Sequence, residues 1–232
     1  MNKRGFTILE LLVVLAVIGV MIGALGFSFV GVNQSNLGDA QRSLISLIQK
    51  ARSLAVSNAT ESRIIVVADS ENPNNYLRQA MLIYQDKNNT EYWKIVEDDF
   101  YLPEEIWFVS GELMTESQDW PSEAQCYWSE NEQDEVFQLS ISTIKSGDRE
   151  LKVFEEAEDG KPFFYISCSS RGAYNSKSFP QMPKLVFAKG KLLPSKTGNL
   201  SPVFTDPRSL AGLQVQPFGG ILTLNYQDFT YE

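Results

Sequence analysis

Glu10 is the group whose placement most demands a chemical explanation. It is the only charged residue between Phe6 and Val32, in a run rich in Leu, Val, Ile, Ala and Gly. A carboxylate inside such a segment costs about 2.5–3.5 kcal/mol at a bilayer centre and less near the interface, so a neutralising partner is expected. The other reactive candidates are Cys126 and Cys168, the only cysteines, and the carboxylate pairs Asp98-Asp99 and Glu104-Glu105. The chain has no histidine, which removes Ser-His and Cys-His catalysis and most metal hydrolysis. Adjacent carboxylates on an extended segment point to opposite faces and do not form an acid-base pair. Ser142-Thr143-Ile144-Lys145 and Lys196-Thr197-Gly198 spell two of the three penicillin-recognising motifs. Ser142, however, falls in an alternating strand pattern rather than at the start of a helix, and the Ser-Asp-Asn element is missing. No catalytic residue is assigned, and neither enzyme activity nor a cofactor is expected.

Glu10 is positioned by the apolar run itself. Residues 6–32 are long enough as a helix to cross a bilayer. Lys3 and Arg4 precede the run and no basic residue follows until Arg42, so the positive-inside rule places residues 1–5 in the cytoplasm and the rest of the chain outside. The run exceeds the 7–15 residues of an ordinary secretory signal core. A plain single-span anchor explains its length and orientation, but not the coincidence of a basic leader, Gly5-Phe6 and a carboxylate four residues after the Phe.

Gly5-Phe6-Thr7-Ile8-Leu9-Glu10 resembles the prepilin leader of type IV pilins and of type II secretion pseudopilins. The resemblance implies cleavage after Gly5 by a prepilin peptidase and N-methylation of the new N-terminal Phe6. It also makes Glu10 the assembly carboxylate, which partners the terminal amine of a neighbouring subunit. Many family members carry a proline further along this helix. Here the corresponding stretch is Gly26-Phe27, so any helix weakening falls to Gly23, Gly26 and Gly31.

Beyond the anchor, residues 33–232 are long enough for one extracytoplasmic globular domain with its own core. From Asn36 to Asn58 the apolar residues Leu37, Ala40, Leu44, Leu47, Ile48, Ala51, Leu54 and Ala55 follow the spacing of one helical face. This amphipathic helix is expected to continue the membrane helix. Residues 63–232 read as mainly strands: 63–68, a hairpin of 79–85 with 92–96 across the turn Asp86–Thr90, then 106–109, 136–144, 151–154, 163–168, 185–188 and 221–224. Residues 111–135 read as an acidic loop. The expected fold class is α+β and pilin-like, with a long N-terminal helix, half transmembrane and half amphipathic, packed against antiparallel β-sheet. Ala51-Arg52-Ser53-Leu54-Ala55 followed by a Val/Ile strand, and the Leu102-Pro103 step, are similar to the H-type minor pseudopilins of the GspH/FimT family.

Charge and cysteines narrow the partners. Thirteen acidic and no basic residues lie between Ile95 and Ile144, within a net charge of −9. Such a surface disfavours nucleic acid and anionic membranes. The acidic stretch reads as a solvated loop, a docking face for a basic subunit, or a calcium site, but Glu130–Glu135 lacks the Gly turn of a calcium loop. Two cysteines without histidine do not complete a zinc site. No metal is assigned. In an exported domain Cys126 and Cys168 either close one disulfide, worth roughly 4 kcal/mol on the chain-entropy model, or remain two buried thiols.

Two functions of different class follow. The first is a minor pseudopilin of a type II secretion system, an inner-membrane single-pass protein with its C-terminal domain in the periplasm. Its partners would be the prepilin peptidase, other pseudopilin or pilin subunits and, through the fibre, secreted cargo. The alternative is a minor pilin of a type IV pilus serving adhesion or DNA uptake. That role calls for clustered basic residues, and the one candidate cluster is Lys184, Lys189, Lys191 and Lys196.

Overall fold

The computed structural model describes residue 14 and residues 36–96, 100–111, 120–129, 137–146, 149–174, 182–194, 200–204 and 206–230. The chain divides into two units, Met1–Asn36 and Leu37–Glu232. The leader and, apart from Val14, the apolar run lie outside the described residues, as does the junction at residues 33–35 on which helix continuity depends. Among the described residues no helix is long and apolar enough to cross a membrane.

Helix α1 covers residues 36–58. Its stripe of Ala40, Leu44, Leu47, Ile48, Ala51 and Ala55 is buried, as helical periodicity requires. The helix stops at Ala59, whose φ of 54° is left-handed. There the Thr60 N–H donates to the Ala55 carbonyl and the Asn58 side chain donates to the Leu54 carbonyl, which satisfies groups that the ending helix leaves open.

Twelve strands follow among the described residues. Strands β1 (Ser62–Val67), β2 (Gln79–Gln85), β3 (Tyr92–Ile95), β4 (Phe100–Tyr101), β6 (Phe137–Ser146), β7 (Arg149–Glu156) and β8 (Lys161–Cys168) form one antiparallel sheet. Six of them run β1-β8-β6-β7-β3-β2, and β2 pairs back onto β1, so the sheet closes into a six-stranded barrel with β4 attached to β2. Strands β5 (Ile106–Phe108), β9 (Lys184–Pro194), β10 (Leu200–Phe204), β11 (Leu210–Val215) and β12 (Ile221–Asn225) form a second sheet centred on β9.

This architecture corrects the expected fold class. The domain is mostly β and contains a closed barrel, rather than being a long helix laid on a sheet. The reason lies in strands that are apolar on both faces. In β1, Ile65 and Val67 enter one core while Ile64 and Val66 enter another; in β2, Met81 and Ile83 are set against Ala80 and Leu82; in β8, Phe163 and Tyr165 against Ile166 and Cys168. One face of each strand packs in the core that also holds α1 and the second sheet. The opposite face needs its own cover, and sheet closure supplies it. The barrel interior is the smaller core of Ile65, Val67, Met81, Ile83, Trp93, Leu139, Phe154, Phe163 and Tyr165.

Of the expected acidic loop 111–135, the structure describes residue 111 and residues 120–129. Residues 120–129 are seated, with Ala124, Cys126 and Trp128 buried. Trp128 stacks on Phe164 with ring centres 5.1 Å apart, and Tyr127 bridges to Lys184.

Candidate functional site

Gly5, Phe6 and Glu10 lie outside the described residues. What the described domain offers is built around three basic side chains: Arg63, Arg52 and Lys184.

Arg63, the second residue of β1, shares a face with Ile65 and Val67, so its side chain enters the barrel at one end. Its guanidinium carbon lies 4.3 Å from the Trp93 ring centre, 4.4 Å from Phe137 and 4.3 Å from Tyr165. Its Nε donates to Glu61 at 2.7 Å. Three ring faces and one carboxylate thus hold a single cation, and Trp93 meets Phe137 edge to face. The cluster locks its occupant and leaves no reactive group. Nothing local in the sequence connects Trp93 with Arg63, which lie 30 positions apart. The signal available was the two-residue period linking Arg63 to Ile65 and Val67.

Arg52 lies on the outer side of α1, beside a cavity of about 410 Å³ lined by Ile48, Gln49, Ser53, Val56, Tyr174 and Gly219. Two glycines make room for it. A Cβ on Gly219 would lie 2.3 Å from Arg52 Nη1, and one on Gly172 would lie 3.1 Å from Arg52 Nε. Both have positive φ, 84° and 77°. The Tyr174 hydroxyl donates to the Ile48 carbonyl and ties this segment to the helix.

Lys184 is buried. Its ammonium donates to the Glu123 carbonyl at 2.5 Å, lies 3.4 Å from the Glu123 carboxylate and sits 4.2 Å from the Tyr127 ring centre. Desolvation holds its pKa below the ordinary lysine value, partly offset by Glu123. Lys189 pairs with Glu105 at 3.0 Å. Two members of the candidate basic cluster are therefore engaged within the protein, while Lys196 lies outside the described residues.

Cys126 and Cys168 are both free and buried, so the structure contains no bond between these two sulfurs. Cys126 Sγ donates to the Val186 carbonyl and accepts from the Val186 N–H, both at 3.1 Å. Burial pushes the Cys126 thiol up to about 12 and the Cys168 thiol up to about 11. Neither forms an appreciable thiolate near neutral pH, so neither is an activated nucleophile. Ser142 lies in β6 and donates to Glu155 on the neighbouring strand at 2.6 Å. Among the described residues no group of His, Cys, Asp or Glu is placed to hold a metal ion.

Comparison with known proteins adds one finding. Residues 1–26 match the family described as the prokaryotic N-terminal methylation motif. No curated protein and no solved structure matches the chain. The chain thus carries the N-terminal signature of type IV pilin-like and pseudopilin proteins. The motif implies processing by prepilin peptidase, assembly with other pilin subunits and a membrane-anchored chain with an exported domain.

Proposed function

We propose that this chain is a minor pseudopilin of a type II secretion system, cleaved and N-methylated by prepilin peptidase and assembled into a periplasmic pseudopilus for protein export. The observation that carries the reading is the N-terminal motif, in which Gly5-Phe6 precedes a single intramembrane carboxylate, Glu10. Cutting after Gly5 removes Lys3 and Arg4 and frees an amine on Phe6. That amine meets a neighbouring subunit's Glu10, and lipid favours the paired charges over the isolated ones. The H-type assignment rests on Ala51-Arg52-Ser53-Leu54-Ala55 leading into β1 and on Leu102-Pro103. Engagement of Lys184 by Glu123 and of Lys189 by Glu105 favours secretion over DNA uptake, because phosphate binding needs available cations.

The test is deletion of the gene in its own host, with the medium assayed for exported proteins and the cells for pili. Loss of exported proteins with normal piliation supports the secretion reading. Loss of pili with normal export replaces it with the type IV minor pilin.

A further inference from the structure

The two ends of the barrel are built differently. At one end Arg63, Trp93, Phe137 and Tyr165 fill the interior. At the other, a cavity of about 560 Å³ remains, with Val67, Met81, Leu139, Phe154 and Phe163 among the residues that line it. Each of these five side chains is buried. Native interiors leave few voids larger than a water molecule. A concave apolar space of this size in a barrel mouth falls within the range of roughly 300–1,000 Å³ typical of small-molecule sites.

The mouth is pre-formed. The Ala68 N–H donates to the Pro162 carbonyl at 3.1 Å, and the Leu77 N–H donates to the Val67 carbonyl at 2.9 Å. The turn between β7 and β8 rests on β6 so closely that a Cβ on Gly160 would lie 2.6 Å from the Leu139 backbone nitrogen. The rim therefore has little room to collapse inward and fill the space. Its polar groups include the amides of Asn72, Asn75 and Gln79 and the charges of Asp69, Asp159 and Lys161. Two carboxylates against one ammonium disfavour an anionic head, while the amides offer both donors and acceptors.

We propose that the barrel mouth binds a small uncharged amphiphile, whose apolar body lies among Met81, Leu139, Phe154 and Phe163 and whose hydroxyl or amide end hydrogen-bonds at the Asn72, Asn75 and Gln79 rim. This site goes beyond the fibre reading and is independent of it, since no residue of the N-terminal motif takes part.

Photolabelling tests the proposal on the full chain, purified from membranes and reconstituted into phospholipid bilayers free of detergent. The probe is a medium-chain alcohol bearing a diazirine, and adducts are mapped by peptide mass spectrometry, so that probe in the bilayer or on residues 6–32 is distinguished from probe in the barrel. Adducts are expected to be enriched several-fold on the peptides carrying Met81, Phe154 and Phe163 over other peptides of the exported domain. Excess octanol should compete them away, and the carboxylic acid counterpart of the probe should label them less. Leu139→Trp fills the cavity and should abolish this labelling. Ile141→Trp, at a rim residue 66% exposed where a larger side chain displaces no core packing, should reduce it by obstructing the entrance. Absence of enrichment in the wild-type barrel, or undiminished labelling in a folded Ile141→Trp protein, would overturn the proposal.

Discussion

The guanidinium of Arg63 lies face-on to the indole of Trp93, 4.3 Å from the ring centre, and the two residues reach each other from β1 and β3, which are not adjacent in the barrel. The contact spans the barrel end, with Phe137 and Tyr165 completing the enclosure. Arg63→Ala should lower stability by about 2–3 kcal/mol, since it removes several cation–ring contacts and empties a partly desolvated site. Arg63→Lys should cost less but still be measurable, because an ammonium is more strongly hydrated than a guanidinium and lacks its delocalised contact with the surrounding rings. Urea denaturation followed by tryptophan fluorescence measures both. Equal stability of all three proteins would remove the cage from the account of barrel stability.

The β2–β3 turn carries a pH-dependent ion pair. The Lys94 ammonium lies 2.5 Å from Asp86 and, with the Asn88 N–H, holds the Asp86 carboxyl below its ordinary pKa, while Asp86 in turn raises Lys94. A depressed carboxylate contributes stability above its unfolded pKa, near 4, and loses it as pH falls through the lower folded value. A raised lysine contributes below its unfolded pKa, near 10.4, and loses that contribution as pH rises further. The pair therefore acts in the window between these limits. Asp86→Asn should cost about 0.5–1 kcal/mol at pH 7, and the gap from wild type should close toward pH 3. Paired denaturation curves at the two pH values check it.

The thiols give a second pH-dependent observable. With Cys126 and Cys168 buried and raised to about 12 and about 11, a maleimide should leave both unmodified in the native protein at pH 7. Denaturation without reductant should release two reactive thiols per chain. Their absence in protein taken from its native compartment would mean that the two sulfurs are joined there.

Gly160 is irreplaceable for a reason of space rather than of backbone angle. An added Cβ would meet the Leu139 nitrogen and carbonyl carbon, both at 2.6 Å, and backbone atoms do not yield as a flexible side chain does. Gly160→Ala should destabilise the barrel by about 2–3 kcal/mol and displace the β7–β8 turn. Thermal unfolding together with hydrogen exchange at β6 and β8 measures this, and an unchanged melting temperature would contradict it.

On the fibre reading, Glu10→Val should insert and fold like wild type yet fail to join the fibre, because the neighbour's Phe6 amine loses its counter-charge. Co-purification with other subunits from host membranes measures incorporation, and equal recovery of the two proteins would refute that role for Glu10.

Several elements were legible because they are local. The stripe from Ala40 to Ala55 fixes α1 by its three-and-four spacing. The polar cluster Asp86–Thr90 marks the turn between β2 and β3, where Asp86 Oδ1 accepts the Asn88 N–H at 2.7 Å. Strands β10 and β11 escaped sequence reading. Leu200–Phe204 contains a proline, and Leu210–Val215 contains a glycine and an alanine in place of the β-branched residues that signal a strand. They hold their conformation by pairing with β9, which local propensity does not reveal.

The sequence by itself determined the N-terminal motif, which is read as a linear string of basic leader, Gly5, Phe6 and Glu10, and it determined the amphipathic character of α1. Only the tertiary structure decided that β2 returns to β1, and therefore that the two apolar faces of β1, β2 and β8 serve two cores rather than one. The period of a strand shows which residues share a face, but not what covers that face. The Arg63 cage and the opposite mouth exist only because strands distant in sequence close into a ring. Closure is a property of non-local pairing, and no window along the chain contains it.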